Sequence, residues 1–245
     1  MRTRLSEILK AHALRLEFQP IVDLASDDVV GFEALMRGPE GPLETPTALI
    51  AAAEQEGVLE ELDRLSRFTA LFAVAVDDLD AGYRLFLNSE CCASRDRLDI
   101  ELTFLEEMAP GVQPVLEVTE RATGQQADLV VGAVEVARAH GWMVALDDFG
   151  EGYSSPVLLT RLRPDFVKFG VDFAWSESPA VSPVLRAMHD YIAESGAVLI
   201  AERIETGEQL RFARSLGATW GQGYLLGVPG RLPTQALHAA QSRGG

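Results

Sequence analysis

The stretch Trp142-Met143-Val144-Ala145-Leu146-Asp147-Asp148-Phe149-Gly150-Glu151-Gly152-Tyr153-Ser154-Ser155 decides the fold. Met143 to Leu146 form a continuous apolar run, as expected of a buried strand. Asp147 and Asp148 stand where that strand must end, and Gly150 and Gly152 turn the chain beyond them. Adjacent carboxylates repel, and each loses solvation if buried. A divalent cation removes both objections, because oxygen-rich sites suit magnesium, manganese or calcium. A solvated Asp-rich turn would have the same local sequence. The reading therefore depends on whether the rest of the chain repeats the pattern of an apolar run ended by one polar residue.

Working outward, strands and helices alternate on both sides. Downstream, the pattern predicts a short helix over 155–162, a strand over 165–169 and a helix over 184–195. A strand over 198–201, a helix over 207–216, a strand over 219–224 and a closing helix over 232–241 follow. Upstream lie a helix over 127–140, a strand over 115–119, a helix over 100–108 and a strand over 83–88. Helices over 59–76 and from Thr45-Pro46 to Gly57 precede these. The first two strands, 16–24 and 29–36, are joined by the short polar Ala25-Ser26-Asp27-Asp28, which predicts an antiparallel hairpin. Residues 1–14 read as a short amphipathic helix. Such alternation implies crossover units and a parallel sheet. Eight strands in 245 residues favour a closed barrel over an open sheet. No long linker, low-complexity segment or fixed-period repeat divides the chain, so one barrel domain over 1–245 is expected.

The formal net charge of -16 and pI of about 4.6 repel a polyanion, which excludes nonspecific binding to nucleic acid polymers. The only cysteines, Cys91 and Cys92, are adjacent and form no disulfide framework. There is no apolar run of membrane-spanning length and no hydrophobic signal core near the start, so the expected location is the cytoplasm.

Each strand carries a polar residue at or near its end: Glu33, Asn88, Glu117, Asp147 with Asp148, Lys168, Glu202 and Gln222. In a βα barrel those ends converge on one mouth, where active sites lie. Carboxylates, amides and one ammonium gathered there point to hard divalent ions. His12, His140, His189 and His238 all fall in or at the ends of helix-like segments, which argues against a histidine or cysteine zinc site. Each charged residue taken alone could simply cap its strand and face water.

The ordered set resembles the EAL-domain family, cyclic-di-GMP phosphodiesterases of bacteria. The naming motif reads Glu33-Ala34-Leu35 within Phe32–Arg37, and Phe18-Gln19-Pro20-Ile21-Val22 matches the family's first strand. Leu87-Asn88-Ser89, Glu117-Val118-Thr119-Glu120, the loop 147–155, Lys168, Glu202-Arg203-Ile204-Glu205 and Gln222-Gly223-Tyr224-Leu225 complete the series. The resemblance implies a modified TIM (β/α)8 barrel whose first strand runs antiparallel. It implies two divalent cations, magnesium or manganese, held by Glu33, Asn88, Glu117, Asp147 and Asp148, with calcium inhibitory. Lys168, Glu202 and Gln222 would be catalytic, Gln19, Leu35 and Arg37 would hold cyclic-di-GMP, and Glu120 would anchor the loop 149–155. The product would be linear pGpG. The family also suggests a homodimer, and regulation by a protein partner remains open.

Four departures from the family pattern weaken the transfer. Lys-x-Asp reads Lys168-Phe169-Gly170, Ala-Glu-Gly-Val-Glu reads Ala201-Glu202-Arg203-Ile204-Glu205, Gly-Arg-Pro reads Gly227-Val228-Pro229, and Glu151 replaces a common threonine. They support a second expectation, a weak or inactive module that binds cyclic-di-GMP or a protein partner. A third reading, independent of the family, is a magnesium-dependent barrel with Lys168 as the base that takes a proton beside a carboxylate. If the sixth strand continues past Gly170, Asp172 falls on the same side as Lys168 and could replace the missing carboxylate.

Overall fold

The computed structural model describes residues 5–77, 79, 82–89, 95–108, 111–119, 127–150, 156–176 and 183–233. Glu120, residues 151–155, Cys91, Cys92, His238 and the expected closing helix beyond Pro233 lie outside the described residues. A short helix, α1 (Leu5–Lys10), leads into β1 (Arg15–Asp23) and β2 (Val29–Arg37). These strands pair antiparallel, with Gln19 opposite Glu33 and Glu17 opposite Leu35. Asp23 fixes the turn between them by accepting from the Ala25 and Ser26 N–H groups at 2.8 and 3.0 Å. Those backbone hydrogen bonds hold its carboxyl below the usual range.

Helix α2 (Pro46–Glu56) has the expected ends. The Thr45 hydroxyl accepts from the Ala48 N–H, proline occupies the first turn, and Gly57 closes the helix at φ 68°. Next come α3 (Leu59–Asp77), β3 (Arg84–Ser89), α4 (Arg95–Met108), β4 (Gln113–Thr119), α5 (Ala127–Ala139) and β5 (Met143–Asp147). The chain continues through α6 (Pro156–Leu162), β6 (Phe166–Gly170), α7 (Val171–Ser176), α8 (Pro183–Ser195), β7 (Val198–Glu202), α9 (Gly207–Ser215) and β8 (Trp220–Gly221).

The eight strands close into a barrel in sequence order. β2 to β8 run parallel to one another, and β1 runs antiparallel to both its neighbours. The closing seam is short: Val22 pairs with Gly221 and Asp23 with Trp220. Elsewhere the outer edge of β1 is covered rather than paired along its length. Phe18 exchanges backbone hydrogen bonds with Gly230 at 2.7 and 3.1 Å, and Gly227 packs so closely on Pro20 that a Cβ there would lie 2.2 Å from the ring.

Four boundaries differ from the sequence expectation, each for a local reason. α4 starts at Arg95 instead of residue 100, because Leu98, Leu102 and Leu105 form a buried stripe that the charged residues around Leu98 conceal. Pro114 lies inside β4, where pairing with β5 begins only at Val115 and no N–H is needed. β8 is two residues long because the chain turns at Gly223, whose missing Cβ lets it pass the Ile204 backbone. β6 runs over Phe166–Gly170, one residue later than the expected 165–169, and Val171 directly opens α7, a helix that was not expected.

The largest apolar layer lies between the barrel and its helices. A second fills the barrel itself, with Ile21, Phe86, Val115, Ala145, Phe166, Ile200 and Trp220 each contributed by a different strand. Below it, the Arg84 guanidinium lies 5.0 Å from the Trp220 ring centre and 5.9 Å from that of Phe166.

On the outer surface, His140 follows α5 and lies between two carboxylates of α4. Its Nε2 is 2.9 Å from Asp99 and its Nδ1 3.0 Å from Glu106. Burial lowers the proton affinity of the ring, but the hydrogen bonds and charges of Asp99 and Glu106 outweigh burial and raise it above the usual value. A raised histidine contributes fully below the unfolded value of about 6.5 and fades as pH rises through the folded one. His140→Gln is therefore expected to lower the melting temperature more at about pH 5.5 than at about pH 8.5. An equal loss at both would mean that the ring acts by packing and not by charge.

Candidate metal centre at the barrel mouth

Side chains along a strand alternate, so the residue two beyond each member of the inner apolar layer faces the axis one pleat nearer the mouth. Counting up from Phe86, Val115, Ala145, Phe166, Ile200 and Trp220 gives Asn88, Glu117, Asp147, Lys168, Glu202 and Gln222. On β2, Gly31 leads to Glu33 in the same way. β1 runs in the opposite direction, so Ile21 leads back to Gln19. Every strand line of the barrel thus supplies one polar side chain to a single layer.

Lys168 occupies the centre of that layer and is fully buried. Its Nζ lies 2.6 Å from Glu117, 2.9 Å from Glu202, 3.2 Å from Glu33 and 3.3 Å from Asp147. Burial lowers its proton affinity, but Asp147, Glu117, Glu202 and Glu33 together outweigh burial and hold it well above the usual lysine range. The carboxylates outnumber the ammonium, and two of them respond. Burial and then the Glu33 charge push the Glu117 carboxyl well above its usual value, against the pull of Lys168. Burial and then Asp147 do the same to Glu202.

Amides brace this cluster. Asn88 Nδ2 donates to Glu33 Oε1 at 3.0 Å, and Gln222 Nε2 donates to Glu33 Oε2 at 2.7 Å and to Gln19 Oε1 at 3.1 Å. Gln19 Nε2 in turn donates to the Gly227 carbonyl at 3.1 Å. Several buried oxygens remain short of partners: Glu117 Oε2 and Gln222 Oε1 accept no hydrogen bond, and Glu117 Oε1 and Asp147 Oδ1 meet only the Lys168 ammonium. Unsatisfied, electron-rich oxygens in a buried layer are the donor set of a hard cation. Asp147, Asp148 and Glu202 offer oxygens within 4.8 Å of one another, close enough to share one ion. Asp148 reaches that group through a left-handed backbone, φ 51°. The loop beyond is pinned by buried Phe149, whose N–H donates to the Lys168 carbonyl at 3.0 Å.

Leu35 and Arg37 follow Glu33 on the same strand face, toward the rim. Arg37 is engaged there, with Nε 2.9 Å from Glu17 and Nη1 donating to its neighbour, the Met36 carbonyl. A mouth cavity of about 290 Å³ is lined by Gln19, Glu33, Glu202, Arg203, Glu205, Gln222 and Tyr224. A larger groove of about 710 Å³, bordered by Phe68, Ile100 and Phe104, lies on the outer helices and contains none of these residues.

Asp172 does not stand on the strand face of Lys168, because the sixth strand does not continue past Gly170; it starts the next segment instead. In the first turn of α7, its carboxylate accepts from Gln209 Nε2 at 3.1 Å and lies 3.5 Å from Arg203 Nε. Negative charge suits a helix start, and α7 begins there because Val171 turns into the core. Arg203 itself has φ 58°, a conformation that costs a side-chain-bearing residue about 1–2 kcal/mol. The sequence reading also gave no place in the mouth to Glu205 or Tyr224. Gln19 entered it only through the family resemblance, although counting two back from the apolar Ile21 would have found it.

A closed βα barrel with one antiparallel strand and a carboxylate-lined mouth is the architecture of the EAL domain, and the chain belongs to that family: the EAL domain model matches residues 2–229. Among its relatives is the cyclic di-GMP phosphodiesterase NbdA of Pseudomonas aeruginosa, 34% identical over 97% of this chain and 31% of that protein. The probable cyclic di-GMP phosphodiesterase PdeG of Escherichia coli is 28% identical over 86% of this chain and 44% of its own. The chain thus spans less than half the length of either. In structure it is similar to the MucR phosphodiesterase of Pseudomonas aeruginosa in complex with c-di-GMP, with a TM-score of 0.76, 26% identity and coverage of 95% and 97%. The manganese and c-di-GMP complex of Klebsiella pneumoniae BlrP1 gives a TM-score of 0.73 at 26% identity, covering 89% of this chain and 56% of that one. Among the described residues, no helix is long and apolar enough to cross a membrane.

Proposed function

We propose that this barrel hydrolyses cyclic-di-GMP to linear pGpG with two divalent cations in its mouth. The observation that carries the reading is the buried layer in which four carboxylates share the single ammonium of Lys168 while Glu117 Oε2 accepts no hydrogen bond. The substrate is supported by relatives named as cyclic-di-GMP phosphodiesterases and by the c-di-GMP bound to MucR.

Glu33, Asn88, Glu117 and Asp147 would hold one ion, and Asp147, Asp148 and Glu202 the other. When bound, the ions supply an acidified water and stabilise negative charge on the leaving oxygen. Lys168 keeps its proton and donates to the phosphate or the attacking water. Glu202, whose proton affinity burial raises, receives the proton that the water loses. The water oxygen joins phosphorus, the P–O3′ bond breaks, and the 3′-oxygen leaves as an alkoxide that takes a proton from solvent, while Glu202 later returns its own to solvent. Gln222 orients Glu33. Arg37 exchanges Glu17 for a phosphate oxygen, to which its planar donors are matched. Gln19 and Leu35 border the nucleotide, and Glu120 anchors the loop 149–155. Magnesium or manganese supports turnover, whereas calcium supports binding only. In this reading the protein works in the cytoplasm, as a homodimer or under a regulatory protein partner.

One observation favours a second reading, a module that binds cyclic-di-GMP without cleaving it. Gly170 removes a carboxylate from the mouth, and Asp172 is committed to Arg203 and Gln209. Incubation with cyclic-di-GMP in magnesium, manganese, calcium or no metal separates the two. Linear product in magnesium or manganese alone is expected. Binding with no product in any metal would favour the second reading, and neither binding nor product would overturn both.

A further inference from the structure

We infer that Arg203 is a substrate-binding residue that takes the phosphodiester of the dinucleotide which is not cut. The inference rests on the phosphodiesterase reading and concerns a residue to which that reading gives no role. Arg203 directly follows Glu202 and holds a left-handed backbone, φ 58°, that favours glycine. Its side chain is the one cation lining the mouth cavity among the described residues, where Glu33, Glu202 and Glu205 supply the opposite charge. A cyclic dinucleotide carries two phosphodiester anions. Ions at the strand ends can neutralise the one being cleaved, and the other enters a negative mouth.

Arg203 is poised for that second anion. Its side chain is 41% exposed, and its Nε is 3.5 Å from an Asp172 carboxylate that is itself 63% exposed. An ion pair this long and this wet is weak and readily exchanged. A phosphate offers the guanidinium two oxygens at the spacing of its donors. Asp172, steadied by Gln209, serves as a resting partner that helps hold the guanidinium at the rim until substrate arrives.

The test is a titration with cyclic-di-GMP in calcium, read as a dissociation constant beside a melting curve. Arg203→Gly is expected to weaken binding about tenfold while raising the melting temperature by about 3 °C, because the strained backbone relaxes. The loss should shrink at high salt, since the contact is electrostatic and partly exposed. Asp172→Asn, which removes the competing carboxylate, should tighten binding about twofold. Equal affinity of Arg203→Gly and the unaltered protein would overturn the inference alone. So would a loss of affinity in Asp172→Asn matching that of Arg203→Gly, since the pair would then act as a structural unit. Failure of the unaltered protein to bind would overturn the phosphodiesterase reading and this inference with it.

Discussion

Lys168→Met is expected to abolish turnover and to make folding depend on divalent ions. The ammonium lies within 3.3 Å of four carboxylates and is fully buried. Without it, those carboxylates face one another with only amides between them. Removing one partner from a buried ionic cluster costs about 3–5 kcal/mol. That is a large part of the roughly 5–15 kcal/mol that holds a typical domain together. Divalent ions would supply the missing charge, and saturating them at a hundred times their dissociation constant returns about 2.7 kcal/mol. The melting temperature of the variant should therefore fall sharply in chelator and recover in magnesium or manganese more than that of the unaltered protein does. A variant as stable as the original in chelator would show that the cluster is held together by something other than this ammonium.

Glu117→Gln is expected to act in the opposite direction on the metal-free protein while also removing turnover. Glu117 is completely buried, its Oε2 accepts no hydrogen bond, and its Oε1 meets only the Lys168 ammonium. Burial and the Glu33 charge raise its carboxyl well above its ordinary value of 4.5. Because the folded state takes up this proton before the unfolded state does, keeping the group ionised in the fold costs stability. That cost is absent below 4.5 and grows as pH rises through the folded value. The amide has no such cost, so a gain on the order of 1 kcal/mol is expected at neutral pH, disappearing toward pH 4.5. The same change removes an anionic oxygen from the proposed ion site, so added magnesium should stabilise the variant less than the original. A variant destabilised in chelator at neutral pH would mean that the Lys168 contact outweighs the burial of Glu117.

Most of the fold could be read from the chain because a barrel strand has a simple signature. Two to four apolar residues ending in one polar residue announce both the strand and the direction of its mouth, as in Val115-Leu116-Glu117 and Val198-Leu199-Ile200-Ala201-Glu202. The antiparallel start followed from the short connection between β1 and β2, which contains Ser26-Asp27-Asp28. What local pattern could not convey is where a short apolar run changes type. Val171-Asp172-Phe173-Ala174 suits a strand as well as a helix, and only packing of Val171 into the core selects the helix. The central position of Lys168 was likewise out of reach, since it follows from the register of seven other strands. The same holds for the meeting of Arg203 with Asp172, two residues far apart in sequence that alternation along one strand cannot bring together.

The short seam between β1 and β8 sets a schedule for synthesis. β1 can pair with β2 as soon as both have left the ribosome, but its other edge waits for Trp220 and Gly221. At roughly 5–20 residues per second, the intervening stretch of about 200 residues takes roughly 10–40 s to appear. A bare strand edge is an invitation to pair with another nascent chain throughout that interval. Pro20 lies in the middle of it and has no N–H to offer such a partner. The residue that finally receives Gly227 thus also guards the edge of the half-made barrel against its neighbours on the same messenger.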